Sequence, residues 1–153
     1  ENYQAAVREY HPTNGRLQTF DLGERKVMTN LAKNPTGFNQ NIRIVLNERG
    51  RVLALFVNDN DADGHDVSWF WDIDFERWSQ IEGLRAFVGG MRANDMQVRL
   101  KYAGIQPRSS RTWPMCWLRR RRRWQGVHHC ELHRAAGRRR ELEGLEAAAK
   151  GEE

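Results

Sequence analysis

The sequence predicts an α/β domain with a mostly parallel sheet and flanking helices. Three observations support this class: short apolar runs alternate with segments of helical periodicity, residues 52–57 are apolar throughout, and glycine or proline follows several of the segments. A short run that is apolar on both faces is typical of a strand covered on both sides in a parallel sheet. Right-handed crossovers then connect successive strands.

The predicted elements follow in order along the chain. Residues 17–20 predict an edge strand and residues 27–32 a second strand, which the segment Lys33-Asn34-Pro35-Thr36-Gly37 ends. Four apolar residues then recur at i, i+4, i+7 and i+8, one stripe of a helix that Asn34 or Thr36 can cap: Phe38, Ile42, Val45 and Leu46. The remaining predictions are a core strand over 51–57, a short helix over 74–81, a strand over 84–88 and a helix over 91–103.

Length and composition predict one domain of ordinary size for the 153 residues. The first residue is Glu1 rather than Met, which indicates a fragment of a longer protein. No apolar run approaches the roughly 20 residues needed to span a bilayer. The two cysteines, Cys116 and Cys130, are too few for a disulfide framework and favour a reducing compartment.

The net charge of +5 is concentrated at one end of the chain. Residues 1–105 carry 13 Lys+Arg against 14 Asp+Glu, whereas residues 106–153 carry 12 against 6. The body of the protein therefore has no electrostatic footprint for nucleic acid.

The C-terminal third differs in character from the rest. Residues 106–137 form an Arg/Trp-rich segment without a period of 2 or 3.6, which predicts irregular structure, and residues 138–153 predict a helix and tail. We therefore divide the chain into a domain over 1–105, the irregular segment and this C-terminal tail. One hypothesis is that 106–137 is translated out of frame, because a shifted GC-rich gene tends to give Arg, Trp, Cys and His; sequencing the gene tests it.

An acidic loop follows the core strand, with Asp59, Asp61, Asp63 and Asp66 around Gly64. The first three and the glycine match positions 1, 3, 5 and 6 of an EF-hand calcium loop, but position 12 is Phe70 instead of a bidentate Glu. A solvated acidic turn is a second reading.

A third interpretation is that the loop has a catalytic role, which depends on Asp66. This residue lies where the chain turns apolar again, and a carboxylate held there can orient a histidine in a Cys-His-Asp triad. The two cysteines lie in the patternless tail, without a helix start or strand elbow to activate a thiolate. A histidine that Asp66 orients is therefore expected on another chain.

Three further motifs remain open. Lys33 and Asn34, between a strand and a helix start, suit either a phosphate or carboxylate site or an ordinary cap, and the GK[ST] element of a P-loop is absent. Arg119–Arg123, flanked by tryptophans, suits nucleic acid or a solvated charge run. A zinc site is a further alternative. Its ligands would come from Cys116, His128, His129, Cys130 and His133.

Three ordered motifs resemble the C-terminal domain of the MurT family, the Mur-ligase-like subunit of lipid II isoglutaminyl synthase. They are LAKNPTGFNQ (residues 31–40), NDNDADGHDVSWFWDIDFE (58–76) and GGMRANDMQVRLKYAG (89–104). The resemblance covers about residues 10–105 and implies a Rossmann-like Mur ligase C-terminal fold. Beyond Ile105 the sequence departs from the family pattern, and residues 138–145 return to it.

The resemblance implies one subunit of an amidating ligase. The family's enzyme uses ATP, Mg²⁺ and glutamine-derived ammonia to amidate the D-glutamate α-carboxyl of lipid II, at the cytoplasmic face of the membrane. Its partner is a GatD-type glutaminase with a Cys-His pair, and nucleic acid is not a partner. The resemblance also implies that the P-loop and zinc ribbon belong to a central domain outside this sequence, so this chain alone should be inactive and hold no cofactor.

The resemblance assigns roles to three residues. Asp66 in DGHDVSW matches the aspartate thought to complete the glutaminase triad, with Asp63 and Asp72 as fallback choices. Lys33 and Asn34 match, by position, the turn that faces the nucleotide in Mur ligases, which makes them candidates for the rim of the ligase site.

Overall fold

A six-stranded sheet forms the centre of the computed structural model, which describes residues 17–22, 26–48, 51–59, 66–109, 127–132 and 142–148. The first strand is antiparallel to its neighbour and every other pair is parallel, which confirms the predicted mostly parallel sheet. In spatial order the strands are β1 (Gln18–Asp21), β2 (Lys26–Leu31), β6 (Val127–Leu132), β3 (Val52–Val57), β4 (Arg85–Gly89) and β5 (Arg108–Ser109).

Helical segments connect the strands. Helix α1 (Pro35–Asn47) lies between β2 and β3, and α2 (Ala93–Tyr102) lies between β4 and β5. Two 3₁₀ segments lie between β3 and β4, the first over Ser68–Asp72 and the second over Phe75–Gln80. The predicted short helix over 74–81 is thus a 3₁₀ segment. Residues 142–148 are helical as well, here called α3.

Both faces of β3 are buried, which explains why its six residues are all apolar. Leu53, Leu55 and Val57 belong to a core that α1, both 3₁₀ segments and α2 cover. Val52, Ala54 and Phe56 belong to a second core on the opposite face, which includes Leu142 of α3. In the first core the largest fully buried side chains outside the strand are Phe38, Ile42, Phe70, Ile73, Phe75, Trp78, Met96 and Leu100.

Asn34, rather than Thr36, caps the start of α1. Its side-chain Oδ1 accepts a hydrogen bond from the Gly37 amide at 2.8 Å, and its carbonyl accepts one from the Phe38 amide at 3.1 Å. Pro35 occupies the first turn, where the missing N–H leaves no intrahelical bond unmade. The KNPTG segment therefore ends β2 and starts α1 within a few residues.

The position of β6 corrects the prediction for residues 106–137. Two strands fall in that segment: β5 pairs with β4 at the end of the sheet, and β6 lies between β2 and β3 and pairs in parallel with both. The sequence VHHCEL lacks the continuous apolar run of a strand buried in a parallel sheet, so the hydrophobic pattern gave no signal for it. The sheet includes residues on both sides of Ile105. The out-of-frame hypothesis stays a prediction for gene sequencing.

The turn after β4 packs closely against the end of β3. The Val57 carbonyl accepts a hydrogen bond from the Arg92 amide at 3.0 Å, and Asn58 Oδ1 accepts one from the Met91 amide at 3.0 Å. Gly90 has a φ of +90°, and a Cβ atom added to it would lie 2.2 Å from the Val57 carbonyl oxygen. Glycine is thus required here for both its backbone conformation and its lack of a side chain.

We expect Gly90→Ala to lower the free energy of unfolding by about 3 kcal/mol or more, because backbone strain and a backbone clash act together. Gly83→Ala is the matched control, since Gly83 has a φ of +72° but an added Cβ atom would meet no other atom within 4 Å. It should cost only the left-handed strain, about 1 kcal/mol. Urea unfolding measures the free energy of both variants. Equal losses in Gly90→Ala and Gly83→Ala would show that the close approach to the Val57 carbonyl adds no cost.

Candidate functional site

The candidate site lies at the carboxyl ends of the parallel strands, where α/β proteins usually bind ligands. The Lys33-Asn34 turn follows β2 and Asp59 follows β3; since both strands run parallel to β6, these residues lie at the same edge of the sheet. The acidic loop starts here. Asp61, Asp63 and Gly64 lie outside the described residues.

Asp59 connects β3 to the start of α2 through an ion pair. Its Oδ2 lies 2.7 Å from Arg92 Nε, and its side chain is only 14% exposed. Its Oδ1 is buried without a hydrogen-bond partner among the described residues. The residue at position 12 of the calcium motif, Phe70, is buried in the core. Asp59 therefore acts as a structural anchor, and no group of three His, Cys, Asp or Glu residues among the described residues forms a metal site around it.

Asp66 is exposed and is held by its own backbone turn. Its Oδ1 accepts a hydrogen bond from the Ser68 amide at 2.8 Å, directly before the first 3₁₀ segment. The hydrogen bonds from the Ser68 hydroxyl and amide lower the pKa of Asp66 below its usual range. The result is an ionised carboxylate at the surface, able to accept a hydrogen bond from an approaching imidazole.

Asn39 of α1 holds the 3₁₀ segments from one side. Its Oδ1 accepts a hydrogen bond from the Asp74 amide at 3.0 Å, and its Nδ2 donates to the Asp72 carbonyl at 3.5 Å. One side chain thus satisfies a backbone donor and a backbone acceptor in the short link between the two segments. No pattern in the sequence indicates this contact.

Arg99 of α2 holds the same segments from the other side. It is 4% exposed and donates to the carbonyls of Phe70 and Ile73, at 3.0 and 2.6 Å. It also forms a bidentate ion pair with Glu76, with nitrogen–oxygen distances of 2.8 and 3.1 Å. The hydrogen bond from Arg99 lowers the pKa of Glu76.

The sequence does indicate that Arg99 is unusual, although the search for helical periodicity did not consider it. Met96, Leu100 and Ala103 define the buried face of α2, and Arg99 lies within that stripe. A charged residue on an apolar helical face predicts a partner of opposite charge close to it. Glu76 is that partner.

Two exposed aromatic side chains lie beside this network. Trp71 is 55% exposed and Tyr102 is 76% exposed. Their ring centroids are 5.4 Å apart with an interplanar angle of 71°, an edge-to-face contact. Trp71 also lies over the Arg99 guanidinium, whose Cζ is 5.4 Å from the ring centroid. We call Trp71 and Tyr102 the aromatic pair.

Lys33 and Asn34 are both exposed at the edge of the sheet. Because Asn34 Oδ1 already accepts the Gly37 amide, this amide cannot serve an anion at the helix start. The cap thus occupies one of the amides that an anion at this helix start would use, and the Lys33 ammonium remains exposed beside it.

The other candidates from the sequence lie where side chains are not described. The arginine run Arg119–Arg123, Cys116 and His133 are outside the described residues, and β6 provides only the backbone of His128, His129 and Cys130. Within the described side chains, no group of three His, Cys, Asp or Glu residues is placed to hold a metal ion. The helices in this part of the chain include none that is both long and apolar enough to cross a membrane.

Solved structures share this fold at low sequence identity. The UDP-N-acetylmuramate-alanine ligase MurC from Thermotoga maritima matches 94% of this chain and 33% of its own, with a TM-score of 0.59 and 11% identity. The MurF ligase from Thermotoga maritima, solved in complex with ADP, matches 95% of this chain and 33% of its own, with a TM-score of 0.55 and 15% identity. The fold is therefore of the Mur ligase class.

Sequence comparison identifies the family within that class. The family model described as MurT ligase C-terminal matches residues 31–115, and the chain belongs to this family. The subunit MurT of lipid II isoglutaminyl synthase (glutamine-hydrolyzing) from Staphylococcus aureus strain COL is 41% identical over 98 residues, which are 63% of this chain and 22% of that protein. The subunit of the same name from Streptococcus pneumoniae strain ATCC BAA-255 / R6 is 36% identical over 91 residues, 59% and 20% of the two chains.

The match thus spans about a fifth of the length of these relatives. The confirmed resemblance concerns the family and the fold. The roles of Asp66, Lys33 and Asn34 stay predictions.

We expect Ser68→Ala to raise the pKa of Asp66 toward the usual aspartate value, because one of its two hydrogen-bond donors is lost. A lowered pKa keeps the carboxylate ionised down to a lower pH, so the variant's protonation midpoint moves to higher pH. Carboxyl ¹³C NMR of Asp66 against pH measures this midpoint.

Ser79→Ala is the control for this titration, since the Ser79 hydroxyl donates to the Glu76 carbonyl and not to Asp66. An unchanged midpoint in Ser68→Ala would contradict the role of the hydroxyl.

Proposed function

We propose that this chain is the C-terminal part of the MurT subunit of a lipid II isoglutaminyl synthase. The complete enzyme amidates the D-glutamate α-carboxyl of the peptidoglycan stem peptide with ATP, Mg²⁺ and ammonia from glutamine. The partner is a GatD-type glutaminase, and the reaction takes place on lipid II at the cytoplasmic face of the membrane.

Family membership and the names of both relatives support this proposal. Because those relatives are about five times longer than the matched region, the remaining catalytic parts belong to other regions of such proteins. ATP supplies the phosphoryl group that activates the carboxylate, and ATP and Mg²⁺ are bound mainly by the central domain. The chain alone is expected to form no product.

Asp66 is the single observation on which the proposed role of this domain depends. Its carboxylate is exposed and ionised, and the Ser68 amide fixes one of its oxygens. In the proposed complex it accepts the Nδ1–H of the glutaminase histidine, which holds the ring so that Nε2 can take the proton of the thiol. The carboxylate then stabilises the imidazolium that forms.

Released ammonia attacks the activated carboxylate of the stem peptide and displaces phosphate. Lys33 is proposed to contribute a cation at the rim of that ligase site, and Asn34 to fix the turn that carries it. The rim and the loop of Asp66 both follow strands of the same sheet edge. This arrangement supports a domain that serves the ligase site and the glutaminase together.

The aromatic pair supports docking of the partner subunit. Trp71 belongs to the first 3₁₀ segment, which begins two residues after Asp66, so a protein that reaches the carboxylate also approaches this segment. Exposed aromatic side chains are enriched among residues that contribute most to protein–protein binding. The glutaminase is therefore the occupant that we assign to this surface.

We expect Asp66→Asn in the complete two-subunit enzyme to lower glutamine-dependent amidation by about 10⁴-fold, because the amide cannot stabilise the imidazolium. Activity with free ammonia should stay unchanged, since it bypasses the glutaminase. Both rates are measured with lipid II and ATP.

Asp95→Asn, an exposed position on α2, is the matched control and should keep both activities. Equal loss with both nitrogen sources would contradict the triad role. Loss in Asp63→Asn or Asp72→Asn instead would move that role to one of the fallback aspartates.

We expect Tyr102→Ser to weaken association of the two subunits by about 2 kcal/mol, or roughly 30-fold in Kd, if the aromatic pair lies at the interface centre. Calorimetry on the purified subunits measures this change. Leu17→Asn is the control, because Leu17 is also exposed but lies beside β1, the outermost strand on the side of the sheet away from β4 and β5. An unchanged Kd in Tyr102→Ser would exclude the aromatic pair from the docking surface.

A further inference from the structure

The segment that carries Asp66 has little regular structure of its own. Between β3 and β4 the described residues form two 3₁₀ segments of five and six residues, joined at Ile73 and Asp74. Short 3₁₀ turns have poorer hydrogen-bond geometry than α-helices and are marginal by themselves. Side chains from neighbouring elements must therefore fix the shape of this segment.

Arg99 makes more of these contacts than any other described side chain. Its Nε and Nη2 each bind a backbone carbonyl, those of Phe70 and Ile73, which lie on either side of the end of the first segment. Its fork also binds both carboxylate oxygens of Glu76 in the second segment. The guanidinium thus fixes the position of one segment relative to the other.

The geometry of these bonds requires arginine. A guanidinium presents donors in a rigid planar fork, whereas a lysine ammonium is a point charge on a flexible stem. The guanidinium also lies over two aromatic rings, with Cζ 5.4 Å from the Trp71 centroid and 5.3 Å from that of Phe75. Lysine would keep the charge but lose the simultaneous contacts.

A short chain of hydrogen bonds leads from Arg99 to Asp66. Arg99 holds the Phe70 carbonyl, the Phe70 amide donates to the Val67 carbonyl at 3.1 Å, and the Ser68 amide donates to Asp66 Oδ1 at 2.8 Å. Only a few residues separate the buried guanidinium from the exposed carboxylate. A change at Arg99 therefore reaches Asp66 through backbone bonds, without direct contact.

We propose that Arg99, paired with Glu76, is a positioning residue for glutamine-dependent amidation: it fixes the first 3₁₀ segment so that Asp66 reaches the partner's histidine in the required orientation. This inference rests on the proposed function of Asp66. Misplacement of a reacting group by about 1 Å can cost roughly 10²-fold in rate, so fixing the segment is a catalytic requirement although Arg99 touches no reactant.

The test uses the complete two-subunit enzyme and compares glutamine with free ammonia as nitrogen source. Arg99→Lys should lower the glutamine-dependent kcat by about 10²-fold and leave the ammonia-dependent kcat within roughly twofold. Glu76→Gln keeps the shape of the partner side chain and should give a smaller loss, about tenfold, with the same split. Glu76 is 59% exposed and glutamine still accepts a hydrogen bond, so this variant disturbs packing less and provides the test if Arg99→Lys fails to fold.

Arg77→Lys is the matched control, an exposed arginine in the second 3₁₀ segment, and should change neither rate. Hydrogen exchange of the peptide over residues 66–74 provides a readout independent of activity. It should become faster in Arg99→Lys and Glu76→Gln and stay unchanged in Arg77→Lys.

Three outcomes would overturn the inference. Parallel loss with both nitrogen sources would mean that Arg99 only stabilises the domain. Full glutamine-dependent activity in both Arg99→Lys and Glu76→Gln would mean that the contacts of Arg99 are dispensable. If Asp66→Asn keeps its glutamine-dependent activity in the same assay, the proposed function fails and this inference fails with it. If Asp66→Asn loses that activity while Arg99→Lys and Glu76→Gln keep it, only the inference about Arg99 fails.

Discussion

The segment between β3 and β4 keeps its shape because one guanidinium, that of Arg99, is buried beneath it. Burying a charge is costly unless it is paired and hydrogen-bonded, and here a carboxylate and two backbone carbonyls meet that requirement. The cost is offset only when Phe70, Ile73 and Glu76 all lie in their observed places. A single buried cation thus imposes one conformation on a stretch whose own backbone bonds would allow several.

Two helices cooperate in this constraint. Asn39 on α1 holds the link between the 3₁₀ segments from one side, while Arg99 on α2 holds their ends from the other. Both helices pack on the same apolar face of β3, so the position of the site segment is fixed relative to the central strands of the sheet. The close approach of Gly90 to Val57 and the ion pair between Asp59 and Arg92 fix the start of α2 to that strand as well. The exposed carboxylate of Asp66 is supported by rigid elements although it belongs to a loop.

Hydrophobic pattern was sufficient to predict the elements whose burial is one-sided or complete. The apolar run of β3 and the stripe of Phe38, Ile42 and Val45 on α1 identified both elements, and the MurT resemblance identified the family. Pattern could not predict β6, because its place between two parallel strands comes from backbone pairing and its sequence is not an apolar run. Pattern singles out Arg99 as a charge on the apolar face of α2, but it could not predict the partners of Arg99, which lie more than 20 positions away.

The spatial order of the strands has a consequence for how the chain is made. The strand that joins the two halves of the sheet, β6, comes after β1 to β5 along the chain. Before residues 127–132 are synthesised, β2 and β3 each lack the strand that pairs with them in the sheet, so each leaves an open strand edge. Late closure of this kind gives a high contact order and slow folding. A nascent chain shorter than this point would therefore leave two unpaired strand edges, the kind of surface that pairs with other chains.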